Sequence, residues 1–429
     1  MTLGGPQAGS GNVLPVAETG REPAGLEPGQ EPGQQRQSRS EEGARRVVRE
    51  ILSGSAVLSV LAVMVSLVIG GILIAATNPA VIQASAYFFA RPGDTVSAAL
   101  SAVGNAYGSL VTGGLIDFSA VGFWAGIQPF LRSLGFATPL IAAGLGIAIG
   151  FRAGLFNIGG QGQILIGGAL AGWIGFTLPL PGGLHLLAAV VGGLLGGALW
   201  AAIPGLLKAR TGAHEVIVTI MLNYIAFYLI EFLLGTPVLQ APGSNTPVSA
   251  PTDPTAVLPQ LFGSPVNLGF PLVVVLVVAA AYLLDRSGLG FKLRAVGENP
   301  SAARTAGIDV RRMTVIAMVV SGLFVGFAGA YQVLGQTTSG FSTAFDAGIG
   351  FNAITVALLG RSRPWGVFGA GLLFGVFQNG GYTMQAANGV DLNVVSVVQS
   401  LIVLFIAAPP LVRAIFRLPA PGASKGARA

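Results

Sequence analysis

Apolar stretches of roughly twenty residues, repeated along the chain and separated by short polar turns, constrain this sequence more than any other feature. A hydrocarbon core about 30 Å thick is crossed by roughly 20 apolar residues of helix. The runs 56–77, 137–151, 156–177, 184–207, 215–234, 268–284, 313–334, 365–382 and 393–411 reach or approach that length. A further run, 348–360, covers only about 18 Å of helix, which reads as a tilted short span or a re-entrant half-helix. Backbone that crosses lipid must satisfy its own hydrogen bonds. The expected fold is therefore an all-α polytopic membrane protein with about nine to ten transmembrane helices.

Composition narrows the function. Charged residues make up 9% of the 429 residues, against roughly 25% in a soluble domain, so a soluble enzyme is excluded. The chain has no Cys and two His. A disulfide framework, a thiolate metal site and a Cys nucleophile are thereby excluded, and an imidazole metal site has almost no ligands to draw on. His214-Glu215 begins like HExxH, but Val218 stands where the second His belongs. No catalytic residue and no metal site is expected. The net charge of +6 does not mark a nucleic-acid partner, because the basic residues sit in turns between apolar runs rather than interleaved with aromatics.

Residues 1–50 are rich in Gly, Pro, Gln, Glu and Arg, too polar to offset the entropy of ordering, and are expected to form a disordered tail. The membrane domain is expected over 51–415, with a second tail over 416–429. Arg45, Arg46 and Arg49 hold the start of the first span on the cytoplasmic side under the positive-inside rule. Counting spans from there puts Arg152, Lys208, Arg210, Arg286, Lys292, Arg294, Arg304, Arg311, Arg312, Arg361, Arg363, Arg413, Arg417, Lys425 and Arg428 inside as well. Only Arg91 and Arg132 fall outside, and both termini are expected to be cytoplasmic.

Two outer segments are long. In 78–136, Val96, Leu100, Val103, Tyr107, Leu110 and Leu115 recur at helical spacing, which predicts a helix along the outer face or against the bundle. Segment 235–267 reads as a docking surface or a plain connector. Within the spans, Gly192 with Gly196, Gly193 with Gly197, Gly322 with Gly326, and Gly371 with Gly375 form GxxxG pairs, which let helix backbones approach closely.

The charged connection 285–312 contains a short capped helix. Asn299 suits the N-cap, Pro300 the first helical position, and Gly307 followed by Ile308 a left-handed stop. Ala302, Ala303 and Ala306 are expected to form one shallow face, able to sit in a partner's groove or simply to rest at the interface. The segment 154–163 interrupts an apolar stretch with four glycines and with Asn157, Gln161 and Gln163. It reads as a broken helix beside a solute path, or as a turn whose amides cap the next helix.

These residues carry a resemblance. The stretch from Arg294 to Ile308, with Gly297, Glu298, Asn299 and Pro300 at its centre, resembles the coupling-helix loop of ABC importer permeases of the branched-chain amino acid and ribose superfamily. Gly154 to Gln163 resembles the FNIG-x-x-GQ signature of its nucleoside and simple-sugar branch. Glu215 to Ala226 (EVIVTIMLNYIA), Gly350 to Gly360 (GFNAITVALLG) and Pro364-Trp365-Gly366 match in the expected order. The resemblance implies a type II importer-like permease in the cytoplasmic membrane. It also implies a second homologous permease, a cytoplasmic ATPase and an extracytoplasmic solute-binding lipoprotein as partners. This chain has no GxxxxGK[ST] phosphate loop, so ATP and Mg belong to the ATPase and no cofactor is expected here.

Other polar residues inside the apolar runs are Asn223, Tyr224, Glu231, Gln332, Gln336, Asn352, Thr355, Gln378 and Asn379. Uncharged amides both donate and accept, which suits a neutral nucleoside, or in the alternative a sugar of the ribose or galactose type. Asn157, Gln161, Gln163, Asn223, Asn352 and Asn379 are the candidate pathway residues, with interhelical bonding the competing role for each. Glu231, the one carboxylate read as lying inside a span, is near its outer end and is taken as interfacial. Without ionisable partners for it, an ion-coupled secondary transporter is the weaker reading.

Overall fold

The computed structural model describes residues 55–417 apart from Phe262. The tail expected over 1–50, and all but the first two residues of that over 416–429, lie outside the described residues. The described chain is helical, with two isolated β-bridges and no strand. Its helices are α1 (Ser55–Thr77), α2 (Pro79–Ser85), α3 (Pro92–Gly114), α4 (Phe123–Gly126), α5 (Gln128–Arg152), α6 (Gly160–Thr177), α7 (Leu184–Thr211), α8 (Glu215–Leu234) and α9 (Gly269–Arg286). They continue as α10 (Gly288–Glu298), α11 (Pro300–Thr305), α12 (Val310–Tyr331), α13 (Ile349–Leu359), α14 (Pro364–Asn388), α15 (Leu392–Ala407) and α16 (Pro409–Ile415). Phe123–Arg152, Leu184–Thr211, Glu215–Leu234, Gly269–Arg286 and Val310–Gln336 are each long and apolar enough to cross a membrane. Leu61–Thr77 with Pro79–Ser85 adds a sixth such segment, bent by 71°. The bend falls at Asn78, whose side chain accepts the N–H groups of Ala80 and Val81 at 3.0 and 3.4 Å, so a new helix starts there instead of the old one continuing.

Helices α5 and α12 form the centre, and every residue of α5 from Ala137 to Gly150 is buried. What lets backbones reach this density is the absence of side chains at the crossings. Gly197 and Gly193 of α7 face Gly322 and Gly326 of α12, and Gly167 of α6 faces Gly193 and Gly326. Gly371 and Gly375 of α14 lie against Ile141, Ser133 and Ala137 of α5. The GxxxG pairs of the sequence therefore serve packing within the chain.

The run 348–360 is the second half of an interrupted crossing. After α12 a single wide, π-helical turn over Gln332–Gln336 ends the helix, and the chain descends along α6. The rings of Phe341 and Phe345 lie against Gly172 and Gly168, and Gly350 then lies against Gly160 and Gln161. From there α13 runs to the turn at Gly360–Arg363, where Arg152 Nε donates to the Ser362 carbonyl at 3.0 Å. Among the described residues, five helices, or six with the bent pair, are long and apolar enough to cross a membrane on their own.

The two long segments 78–136 and 235–267 are packed structure. Helix α3 joins the bundle: Gly113, Gly114 and Leu110 meet Thr383, Val376 and Gly380 of α14, and the Tyr107 hydroxyl donates to the Leu67 carbonyl of α1. Segment 235–267 seals one end of α6, α7 and α12. Its backbone donates from Thr252 to Thr338, from Asp253 to Gly175 and from Leu258 to Leu334, at 2.8–2.9 Å, and Leu239, Ala256 and Leu258 are buried. His185 of α7 holds it from below, bonded to Thr255 Oγ1 (2.7 Å) and the Ile174 carbonyl (2.9 Å). Asp253 accepts from the N–H and hydroxyl of Thr255, which hold its carboxyl below the usual range. Replacing Gly326 by Val forces α12 off Gly193 and Gly197 and should lower stability by about 1–3 kcal/mol. Gly182, with open space around it, should accept Ala without effect; thermal unfolding in detergent compares the two.

Candidate functional site

Four of the candidate amides spend their polar atoms on the protein itself. Helix α5 ends at Arg152, and Gly154 (φ +72°) turns the chain back into the bundle. A helix that begins inside the bundle leaves its first N–H groups without intrahelical partners, and the amides supply them. Asn157 Oδ1 accepts the Gly159 N–H at 2.9 Å and the Gln163 amide at 3.1 Å, while its Nδ2 donates to Ser321 Oγ at 2.9 Å. Asn223 Oδ1 accepts the Gly162 N–H at 2.9 Å, and its Nδ2 donates to the Ile158 carbonyl at 3.0 Å. All of these side chains are buried. They build the break; they do not face a path.

Asn379 is elsewhere. Its Nδ2 donates to the carbonyls of Gly113 and Pro129, at 2.8 and 2.9 Å, and to Ser133 Oγ at 3.1 Å. That cluster is separated from the break by about 25 Å of α5. The structure thus does not gather the six amides in one place, and Asn379 joins α14 to α3 and α5. Gln161 and Asn352 differ from the rest, being partly exposed and making no side-chain hydrogen bond.

The short capped helix forms as its sequence predicts. Asn299 Oδ1 accepts the N–H groups of Ser301 and Ala302, both at 3.0 Å, and Pro300 occupies the first turn. Gly307 (φ +81°) ends the helix, with Ile308 N–H returning to the Ala303 carbonyl at 3.0 Å. The expected three-alanine face needs correction. Ala303 is buried in the bundle, while Ala302 and Ala306 are exposed with Glu298, Asn299, Pro300 and Arg304. The inward turn follows from helix geometry, since a two-turn helix lying on the bundle must bury one side. Gly297 lies directly against the carbonyl of Arg152 and the backbone of Gly154. The last turn of α10, which leads directly into the exposed helix, is therefore in backbone contact with the break.

The carboxylates and His214 are placed as follows. Glu231 is exposed, as an interfacial carboxylate would be, whereas Asp346 is buried, accepting the N–H groups of Gly348 and Gly350 at 3.1 and 3.2 Å and so capping α13. The signal was an Asp two and four residues ahead of glycines at the head of an apolar run. His214 makes no side-chain cap bond to α8; the adjacent Glu215 pairs instead with Lys208 at 2.5 Å. An apolar cleft of about 460 Å³ between α1 and α3, lined by Met64, Leu67, Leu100, Val103 and Tyr107, offers a polar solute no free hydrogen-bonding group.

Residues 130–407 match the family described as the branched-chain amino acid transport system permease component. The chain is 37% identical to the guanosine ABC transporter permease protein NupP of Bacillus subtilis over 278 residues, which are 64% of this chain and 80% of that one. It is 35% identical to the glucose ABC transporter permease protein TsgB13 of Haloferax volcanii, over 63% of this chain and 73% of that one. With the nucleoside ABC transporter permease protein NupB of Lactococcus lactis subsp. cremoris it shares 34% identity, over 67% and 81%. No solved structure matches the chain significantly. Asn157→Ala should lower stability by about 1–3 kcal/mol by stranding the Gly159 N–H and Gln163, whereas Asn352→Ala should cost little. Thermal melts of the two variants separate a scaffold amide from a free one.

Proposed function

The chain belongs to the permease components of branched-chain amino acid transport systems, and from this we propose that it carries nucleosides across the cytoplasmic membrane as one permease subunit of an ATP-binding-cassette importer. The observation that carries the reading is the exposed helix α11, capped at both ends and joined through Gly297 to the break before α6. Work done on α11 by a cytoplasmic ATPase then has a rigid route to the interior. Nucleosides are favoured by the names of NupP and NupB. Import of a simple sugar remains the alternative, favoured by TsgB13.

The remaining parts of the reading follow. Arg152, Lys208, Arg210, Arg286, Arg304, Arg311, Arg312, Arg361 and Arg363 lie at one end of the bundle's helices, which supports that end, and both termini, as cytoplasmic. Segment 235–267 then faces outward, where a solute-binding lipoprotein would dock. A second permease would complete the cavity, and ATP with Mg would be bound by the ATPase. No covalent step occurs in this chain.

Uptake of labelled guanosine and uridine, with ribose as competitor, should be lost when the gene is deleted and be indifferent to ribose. Retained nucleoside uptake with lost ribose uptake would transfer the assignment to sugars. Ala302→Glu and Ala306→Glu should leave the protein in the membrane at normal level yet cut uptake by about tenfold or more, because the charge meets the ATPase groove. Ala303→Glu should instead lower the amount of folded protein, since it buries an unpaired carboxylate. Immunoblots alongside uptake distinguish these outcomes.

A further inference from the structure

One direction around the first turn of α6 has no helix against it. Successive residues step by about 100°. Gly160 lies against Gly350 of α13, Gly162 against Leu222 and Asn223 of α8, and Gln163 turns to Asn157, which bonds Ser321 of α12. Gln161 takes the remaining direction, between α13 and α8. It is partly exposed and its carboxamide makes no hydrogen bond.

Helix α13 runs opposite to α6, so its residues step around in the opposite sense when both are viewed from one end. Gly350 touches α6, and Ala353 with Val356 turns to Gly144 of α5. Phe351, one step from Gly350 on the side away from α5, therefore points to the same open side as Gln161, and it is 50% exposed. The depth is informative. Gly350 stands ten residues of helix, about 15 Å, from the basic turn at Gly360–Arg363, which is about half of a hydrocarbon core. At that depth an unpaired carboxamide is tolerated where it lines a watered cavity, not where it meets lipid. The carboxylate of Asp346 is turned into the N–H groups of Gly348 and Gly350.

We infer that Gln161 and Phe351 form this chain's contact with the solute, the carboxamide pairing with the donor and acceptor edge of a heterocyclic base and the ring stacking on its face. An amide offers both a donor and an acceptor, and an aromatic ring offers a face to any base. The inference rests on the nucleoside reading and deepens it to the base.

The chain contains no Cys, so single substitutions Gln161→Cys and Phe351→Cys each create its sole thiol. In membranes carrying the assembled transporter, a small water-soluble methanethiosulfonate should modify both. Guanosine and uridine should slow the modification, and ribose should not. Asn157→Cys, at a buried scaffold position, should stay unmodified. In uptake assays Gln161→Leu should lose about tenfold in rate, the size of one hydrogen bond left unmade, at unchanged protein level. Phe351→Tyr should retain uptake and Phe351→Leu should lose it. If the wild type imports nucleosides but the thiols react regardless of solute, or Gln161→Leu imports normally, the inference is overturned and the nucleoside reading stands. Were the wild type to import ribose and not nucleosides, both would fall, and the wild-type arm alone reports it.

Discussion

A helix that starts in the interior of an apolar bundle exposes N–H groups to surroundings that cannot solvate them, and this chain starts two helices there. Each unsatisfied group would cost several kcal/mol in hydrocarbon. Helix α6 draws its partners from Asn157 and from Asn223 on α8, while α13 draws them from Asp346. Because these caps fix both starting points, they also fix the contact between Gly160 and Gly350 and leave Gln161 facing the gap beside it. The open site depends on hydrogen bonds made by its neighbours.

The second dependence is steric. Gly297 meets the backbone of Arg152 and Gly154 with no side chain between them, and Arg152 reaches across to the Ser362 carbonyl. Three loops, those that follow α5, α10 and α13, are thereby joined at one end of the bundle. A displacement of α11 cannot be absorbed by side-chain rotation at such a joint, since there are no rotamers to absorb it. It must move the chain leading into α6 or into α14. The proposed coupling therefore needs no relay of side chains, only packed backbone that behaves as a rigid element.

Features with a local cause were legible in the sequence. The capped helix at Asn299–Gly307 was readable because cap, proline and left-handed glycine each act within a few residues. The apolar runs gave the crossings for the same reason. What was not legible depends on which neighbour a side chain meets. Ala303 and Ala302 are the same residue one step apart, yet one is buried and the other exposed. Asn157, Asn223, Asn352 and Asn379 looked alike as amides in apolar surroundings, and only tertiary contacts reveal that three are bonded into the bundle. Asp346 escaped notice because it lies in the irregular half of a crossing, where neither helical period nor apolar length marks the membrane.

The two ends of the bundle are built on different principles, and alternating access would require that. At one end, glycine backbones and an exposed capped helix make a stiff handle. At the other, segment 235–267 is held by backbone hydrogen bonds to Gly175, Leu334 and Thr338, by the bonds of His185 to Thr255 and Ile174, and by the buried side chains of Leu239, Ala256 and Leu258. Such bonds can be exchanged for water one at a time, whereas the glycine crossings of α6, α7 and α12 move together or not at all. In the proposed orientation, opening toward the outside would peel a hydrogen-bonded cover from a rigid core, and opening toward the cytoplasm would move helices as bodies. The interrupted crossing 337–359 connects the two regimes: its irregular half is bonded to the cover through Ser249 and Thr252, and its helical half ends at the joint beside Arg152. A shift of α13 along its axis would be felt at both ends, with Phe351 and Gln161 at the midpoint.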